Sequence, residues 1–164
     1  MTTVTTLQDY LTSMSDLISR HRQDSSMYKS IEQFMDEQGH RFTAPARPLD
    51  HYENVQAGEM GMCYSNCMDY VIENPDTELL YCEGFAMGVI PMQHAWLSTA
   101  DGEVIDPTWG QDYSKDYHGV AFDRDWAIRL LCNKGSYGLI DDWENKWPLL
   151  NGKHNLEWKV EVNL

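Results

Sequence analysis

The chain has 164 residues, of which 26 are acidic and 12 basic, and its formal net charge is −14. This length is typical of one domain, and so negative a chain would repel a phosphate backbone, which argues against direct nucleic-acid binding. Nine tyrosines and six tryptophans indicate an apolar core rather than a disordered chain.

The N-terminus lacks the basic region and apolar block of a signal peptide, and no stretch approaches about 18 consecutive apolar residues. We therefore expect a cytoplasmic protein with no membrane segment. Four irregularly spaced cysteines do not resemble a secreted disulfide framework, so free thiols are expected.

The first part of the chain predicts two helices. Apolar residues recur at three- and four-residue steps between Thr6 and His21, and Thr6 with Asp9 can form a capping box. A second helix is predicted from Met27 to Gln38, with Gly39 as its stop.

A long connection without periodicity, residues 41–61, precedes a third predicted helix that ends at Asn74-Pro75. Cys63 falls in or just before the first turn of this helix, and Gly61 lets the chain turn tightly into it.

Three successive strands are predicted over 78–90, 93–100 and 102–108, which are rich in aromatic and branched residues. The last two form a hairpin across Asp101-Gly102.

A fourth helix is predicted from Asp123, its N-cap, to Cys132. Alternating apolar and polar residues over 156–164 predict a C-terminal strand. Helices followed by mostly consecutive strands indicate an α+β fold with an antiparallel sheet. We expect one domain over 1–164, with a helical N-terminal part over 1–40.

Cys63 has the position of an activated nucleophile. A thiol ionises more readily at a helix N-terminus and beside a histidine, for which His94 is the candidate. Asp106 is the candidate carboxylate that orients the imidazole. In the predicted hairpin Leu97 pairs with Asp106 and His94 with Trp109, an offset of about 10 Å along the strands, so a bulge is required.

Gly61-x-Cys63 at a helix start, His94-Ala95-Trp96 on one strand and Asp106-Pro107-Thr108 on the next resemble the catalytic core of the transglutaminase-like branch of the papain-like cysteine superfamily. The resemblance covers 60–109. It implies a cysteine-bearing helix packed on an antiparallel sheet and a thioester mechanism. Cys63 would be the nucleophile, His94 the base and then the acid, and Asp106 the orienting carboxylate.

An oxyanion requires hydrogen-bond donors, and the Cys63 backbone amide is one candidate. Gln56, by analogy with papain-like enzymes, and Asn66, one turn after Cys63, are the candidate side-chain donors. Glu83 either points into the site or lies on the solvent face. Trp109 follows the aspartate, whereas that branch commonly carries a tryptophan in the strand before it.

The other thiols, Cys67, Cys82 and Cys132, are expected to be small core residues. A zinc site built from Cys63 and Cys67 with Cys82 or His94 is the alternative, but the close cysteine pairs of structural zinc sites are missing from the sequence. We expect neither a metal nor a cofactor.

The sequence therefore predicts a cysteine-dependent hydrolase or acyltransferase that acts on a protein, peptide or small amide substrate. The alternative is a non-catalytic acidic binding or inhibitor protein that keeps this fold and docks a basic partner, as its charge of −14 suggests.

Overall fold

A computed structural model describes residues 6–135 and 137–164, in which four α-helices pack on a curled antiparallel sheet. The fold is therefore α+β, as the sequence predicts. The helices are α1 (Leu7–His21), α2 (Ile31–Gln38), α3 (Cys63–Glu73) and α4 (Arg124–Lys134). The strands are β1 (His40–Phe42), β2 (Leu80–Met87), β3 (Pro91–Ser98), β4 (Val104–Ile105), β5 (Tyr117–Phe122) and β6 (Lys159–Val160).

Side chains cap three of the helices. The capping box of Thr6 and Asp9 is present at α1, and Asp123 accepts a hydrogen bond from the Trp126 amide at the start of α4, as predicted. Helix α2 begins later than predicted, because the Ser30 side chain accepts from the Gln33 amide and fixes the N-terminus there.

The sheet has the order β1-β5-β2-β3-β4, and β6 pairs with the C-terminal end of β5. Strands β2, β3 and β4 are the three predicted successive strands. Strand β5 was not predicted, although it is buried throughout. It contains Gly119, which pairs with Gly84, and a Cβ at Gly119 would overlap the β2 backbone and the Trp96 indole.

The two faces of the sheet bury different groups of residues. The helices cover the face that carries Tyr81, Phe85, Leu97 and Phe122. The opposite face carries a second apolar cluster formed by Phe42, Cys82, Ala86, Trp96, Val104, Tyr117 and Ala121. Because side chains alternate along a strand, His94 shares this second face with Trp96.

The predicted C-terminal strand over 156–164 is wrong in its extent. Residues Leu156–Trp158 form a 3-10 turn, and only β6 pairs with the sheet. Beyond β6 the chain turns toward the β3–β4 connection, where the Asn163 amide donates to the Ala100 carbonyl. The alternating apolar residues have separate surroundings, because Trp158 packs on Phe34 and Phe122 whereas Val162 and Leu164 lie near Gly102 in that connection.

No helix in the described part of the chain is long and apolar enough to cross a membrane.

Candidate functional site

Cys63 is the first residue of α3. Gly61 has a φ of 84°, a conformation that costs glycine little, and it brings the connection into the helix. The N-cap residue, Met62, provides no side-chain hydrogen bond to the first turn. The thiol therefore lies beside backbone N–H groups that have no partner within the helix, where the helix dipole favours a negative charge.

His94 and Asp106 meet directly, with 2.8 Å between Nε2 and Oδ2, and both side chains are buried. The expected bulge lies in the hairpin connection, where Gly102 has a φ of 79° and its amide donates to the Thr99 carbonyl, the geometry of a G1 bulge. Leu97 pairs with Ile105 rather than with Asp106, so the register brings the carboxylate one residue closer to His94. Strand pairing ends at Ile105, and the chain then turns, which lets Asp106 reach the imidazole.

The Asp106 carboxylate accepts four hydrogen bonds. Oδ1 accepts from the backbone amides of Thr108 and Trp109 at 3.0 and 2.9 Å, and Oδ2 accepts from His94 and from the Tyr117 hydroxyl, each at 2.8 Å. A buried carboxylate requires such donors in place of water. These contacts also fix its orientation toward the imidazole.

The His94 ring stacks on Trp109, with 3.9 Å between ring centroids and 17° between planes. Burial disfavours its charged form, but hydrogen bonds and negative charge from Asp106 and Cys63 outweigh burial and raise the pKa of His94 to about 9. These contacts therefore favour the protonated ring. Because Nε2 faces Asp106, Nδ1 is the nitrogen left for the Cys63 thiol.

Asn66 and Gln56 occupy different surroundings. Both Nδ2 protons of Asn66 are donated, one to the Glu59 carbonyl and one to the Thr108 hydroxyl, each at 2.8 Å, so this amide has no donor left for an oxyanion. Gln56 is exposed and lines a surface groove together with Asn66. Cys63 and His94 do not line that groove.

Glu83 is buried on the helix-covered face of β2, so the solvent-face alternative is wrong. Its carboxylate accepts from the Tyr81 hydroxyl at 2.7 Å and from the Leu139 and Ile140 amides at 2.7 and 3.0 Å. Burial raises the pKa of Glu83, partly offset by these three donors. Its visible role is to hold the chain near Ile140 against the sheet.

Several residues of the site were not predicted from the sequence. Tyr117 was missed because its strand was missed, and the Trp109 ring could not be assigned to His94 without knowing the turn after Asp106. Gln111 accepts from the Asp106 amide at 2.9 Å and donates to the Arg47 carbonyl at 2.6 Å. Thr108 belongs to the Asp106-Pro107-Thr108 motif, but its hydrogen bond with Asn66 of α3 was not predicted.

The remaining thiols differ in exposure. Cys67 and Cys82 are buried, and burial raises the pKa of both, whereas Cys132 is exposed on α4. It was expected in the core, and that expectation is wrong. Over residues 6–135 and 137–164, no group of three histidine, cysteine or acidic side chains is arranged to hold a metal ion.

Comparisons of the chain with protein-family profiles, with curated proteins and with solved structures give no match.

Proposed function

We propose that this protein is a cysteine-dependent hydrolase or acyltransferase with a papain-like or transglutaminase-like core, acting on an amide or ester bond. The observation that supports this most is the position of His94 between two groups. Its Nε2 bonds to the buried Asp106 carboxylate, and its other side faces Cys63 at the start of a helix. A thiolate and an imidazolium stabilise each other in such an arrangement.

In the first half of the reaction, the Cys63 thiolate attacks the carbonyl carbon and a C–S bond forms. The Cys63 backbone N–H, at the helix N-terminus, stabilises the oxyanion of the tetrahedral intermediate. When the intermediate collapses, the C–N or C–O bond breaks and the imidazolium of His94 donates its proton to the departing amine or alcohol. The product is a thioester on Cys63.

In the second half, neutral His94 takes a proton from water or from an acceptor amine, which attacks the thioester carbonyl. The C–S bond breaks, the thiolate is restored, and His94 is again an imidazolium. Asp106 stays hydrogen-bonded to Nε2 throughout and stabilises the imidazolium in both halves.

The alkylation of Cys63 by iodoacetamide, located by mass spectrometry, tests the proposal. At about pH 6.5 ordinary thiols are protonated, so we expect Cys63 to react at least about tenfold faster than Cys132, although it is less exposed. The advantage should disappear in His94→Ala. Equal rates at Cys63 and Cys132 in the wild type would refute an activated nucleophile.

Turnover can be probed with an activated ester, p-nitrophenyl acetate. We expect a burst of p-nitrophenolate and an acetyl group on Cys63, both abolished by Cys63→Ala. Cys132→Ala is the matched control because its thiol is exposed and lies on α4, away from His94. Acetylation of both cysteines at equal rates would contradict the proposal.

A second candidate function is non-catalytic docking of a basic partner. It is favoured by a groove of about 660 Å³ whose lining includes Glu53, Glu73, Asp76 and Glu78, and which does not include Cys63. A lysine-rich peptide should then bind with strong salt dependence, and Cys63→Ala should leave its affinity unchanged. Absence of binding at low salt would exclude this function.

A further inference from the structure

Asn66 joins three segments that meet around Cys63. Its Nδ2 donates to the carbonyl of Glu59 in the connection before α3 and to the hydroxyl of Thr108 in the loop after β4. Its Oδ1 accepts from the Glu59 amide at 3.3 Å. Both side-chain amide protons of Asn66 are therefore donated to other segments, and neither is donated within the helix.

Gly58 packs directly on this amide. A Cβ at Gly58 would overlap the side-chain carbon, oxygen and nitrogen of Asn66, so only glycine fits without displacing the amide. The Gly58 amide in turn donates to the Pro107 carbonyl at 2.8 Å. The connection before Cys63 is thus fastened to the loop that carries Asp106 by two contacts, one through a side chain and one through the backbone.

Thr108 continues these contacts to Asp106. Its hydroxyl accepts from Asn66, and its own amide donates to Asp106 Oδ1 at 3.0 Å. Asp106 contacts His94, which faces Cys63, and Cys63 lies one helical turn before Asn66. These five residues form a ring of contacts. Each residue is connected to the next by a side-chain interaction or, for Cys63 and Asn66, by the backbone of α3.

We propose that Asn66 and Thr108 are a positioning pair that holds Cys63 at the distance from His94 at which the thiolate and the imidazolium form. The inference rests on the proposed function. It assigns Asn66 to positioning rather than to the oxyanion, because both of its donor protons are already used.

Thr108→Val tests the pair with little change in shape. It removes the hydroxyl that accepts from Asn66 and keeps the amide that donates to Asp106. At about pH 6.5 we expect the rate of Cys63 alkylation to fall about tenfold or more, because small displacements in such a pair are costly, with Asn66→Ala giving a similar loss. Thr108→Ser, which keeps the hydroxyl, should retain most of the wild-type rate.

The pH dependence separates positioning from general loss of structure. An unassisted cysteine thiol is mostly ionised at about pH 9, so the rates of wild type and Thr108→Val should converge there. Loosening of the fold would instead change Cys63 alkylation at both pH values. The melting temperature should fall by only about 2–4 °C in Thr108→Val, and Asn133→Ala, an exposed change on α4, is the matched control.

The double variant Asn66→Ala, Thr108→Val should lose no more rate than Asn66→Ala alone, since Thr108→Val removes a contact that Asn66→Ala has already removed. If wild-type Cys63 reacts no faster than Cys132, the proposed function fails. If wild-type Cys63 is activated but Thr108→Val behaves like Thr108→Ser, the proposed function stands and the positioning pair is overturned.

Discussion

The Tyr117 hydroxyl donates to the same Asp106 oxygen that accepts from His94, so the two donors share one negative charge. Tyr117→Phe removes one of them without removing the ring. We expect the pKa of His94 to rise further above its present value of about 9, because the carboxylate then acts on the imidazolium alone. An NMR titration of the His94 ring measures this.

The control for this substitution is Tyr113→Phe, because Tyr113 is half exposed and its ring contacts the Trp109 ring. It should leave the pKa of His94 unchanged. An unchanged pKa of His94 in Tyr117→Phe as well would mean that the hydroxyl does not moderate the carboxylate charge.

His94 also links stability to pH. Its pKa is raised from 6.5 to about 9 in the folded protein, so folding favours the protonated ring. This contribution is fully present below about pH 6.5 and is lost as the pH rises through about 9, and the shift corresponds to about 3 kcal/mol. Urea unfolding at about pH 6.5 and 9.5 should therefore show a larger loss of stability in Cys63→Ala than in Cys63→Ala, His94→Gln, two variants in which no thiol at position 63 titrates.

The comparison with His94→Gln removes the effect of the buried thiols, since Cys67 and Cys82 titrate in both proteins. His40, whose pKa burial lowers to about 4, affects stability on the acidic side of this range. Parallel losses in Cys63→Ala and in Cys63→Ala, His94→Gln would contradict the stabilising contact with Asp106.

At the scale of elements, Glu83 connects β2 to the segment 139–150, which lacks helix and strand but contributes Leu139 and Leu150 to the core. In Glu83→Gln the amide nitrogen can no longer accept one of the two backbone N–H groups. We expect the free energy of unfolding to fall by about 1–3 kcal/mol, and hydrogen exchange to become faster at the Leu139 and Ile140 amides.

Glu161→Gln provides the matched control, because its side chain is mostly exposed and pairs with Lys159 at the surface. It should change neither stability nor exchange at Ile140. Unaltered exchange at Leu139 and Ile140 in Glu83→Gln would show that the segment is held by its apolar contacts alone.

The helices could be predicted closely from the sequence, because their caps and periodicity are local. Asp123 starts α4 and Thr6 caps α1 through contacts within a single turn. Strand β5 could not be predicted in this way. It is buried on both faces, so it lacks alternation, and Gly119 looks like a turn residue until its contact with Trp96 is known.

The candidate site could also be predicted only where the signal in the sequence is local. Cys63, His94 and Asp106 could be selected from residue type and order, since each stands at a recognisable place on a helix or hairpin. The supporting contacts could not be selected. Tyr117 contacts Asp106, about 10 residues away in the chain, and Asn66 contacts Thr108, about 40 residues away. Both contacts depend on how the sheet curls.

Over the whole molecule, the two faces of the sheet have different coverings. Helices pack on one face, while the face that carries His94 is bordered by β1, the Trp109 loop and the C-terminal segment, and His94 lies where this face meets the start of α3. Val162 and Leu164 contact Gly102 at the β3–β4 connection. The chain end thus packs at the far end of the hairpin from the turn that carries Asp106.

The excess of negative charge also acts on the molecule as a whole. At low salt, 26 acidic residues repel one another with only 12 basic residues to compensate, and this repulsion opposes the compact state. Raising the ionic strength from about 0.01 to 0.15 M shortens the screening length from about 30 to 8 Å. We therefore expect the melting temperature to rise by several degrees.

A variant with Glu73→Gln, Asp76→Asn and Glu78→Gln distinguishes general repulsion from local effects. These side chains are exposed, and all three line the groove of about 660 Å³ that also contains Glu53 and Arg47. Removing three negative charges should raise the melting temperature at low salt and reduce its dependence on salt, while Cys63 alkylation stays unchanged. A melting temperature that falls with added salt in wild type would mean that favourable ion pairs, such as the buried Lys134–Asp142 contact at 3.3 Å, outweigh the repulsion.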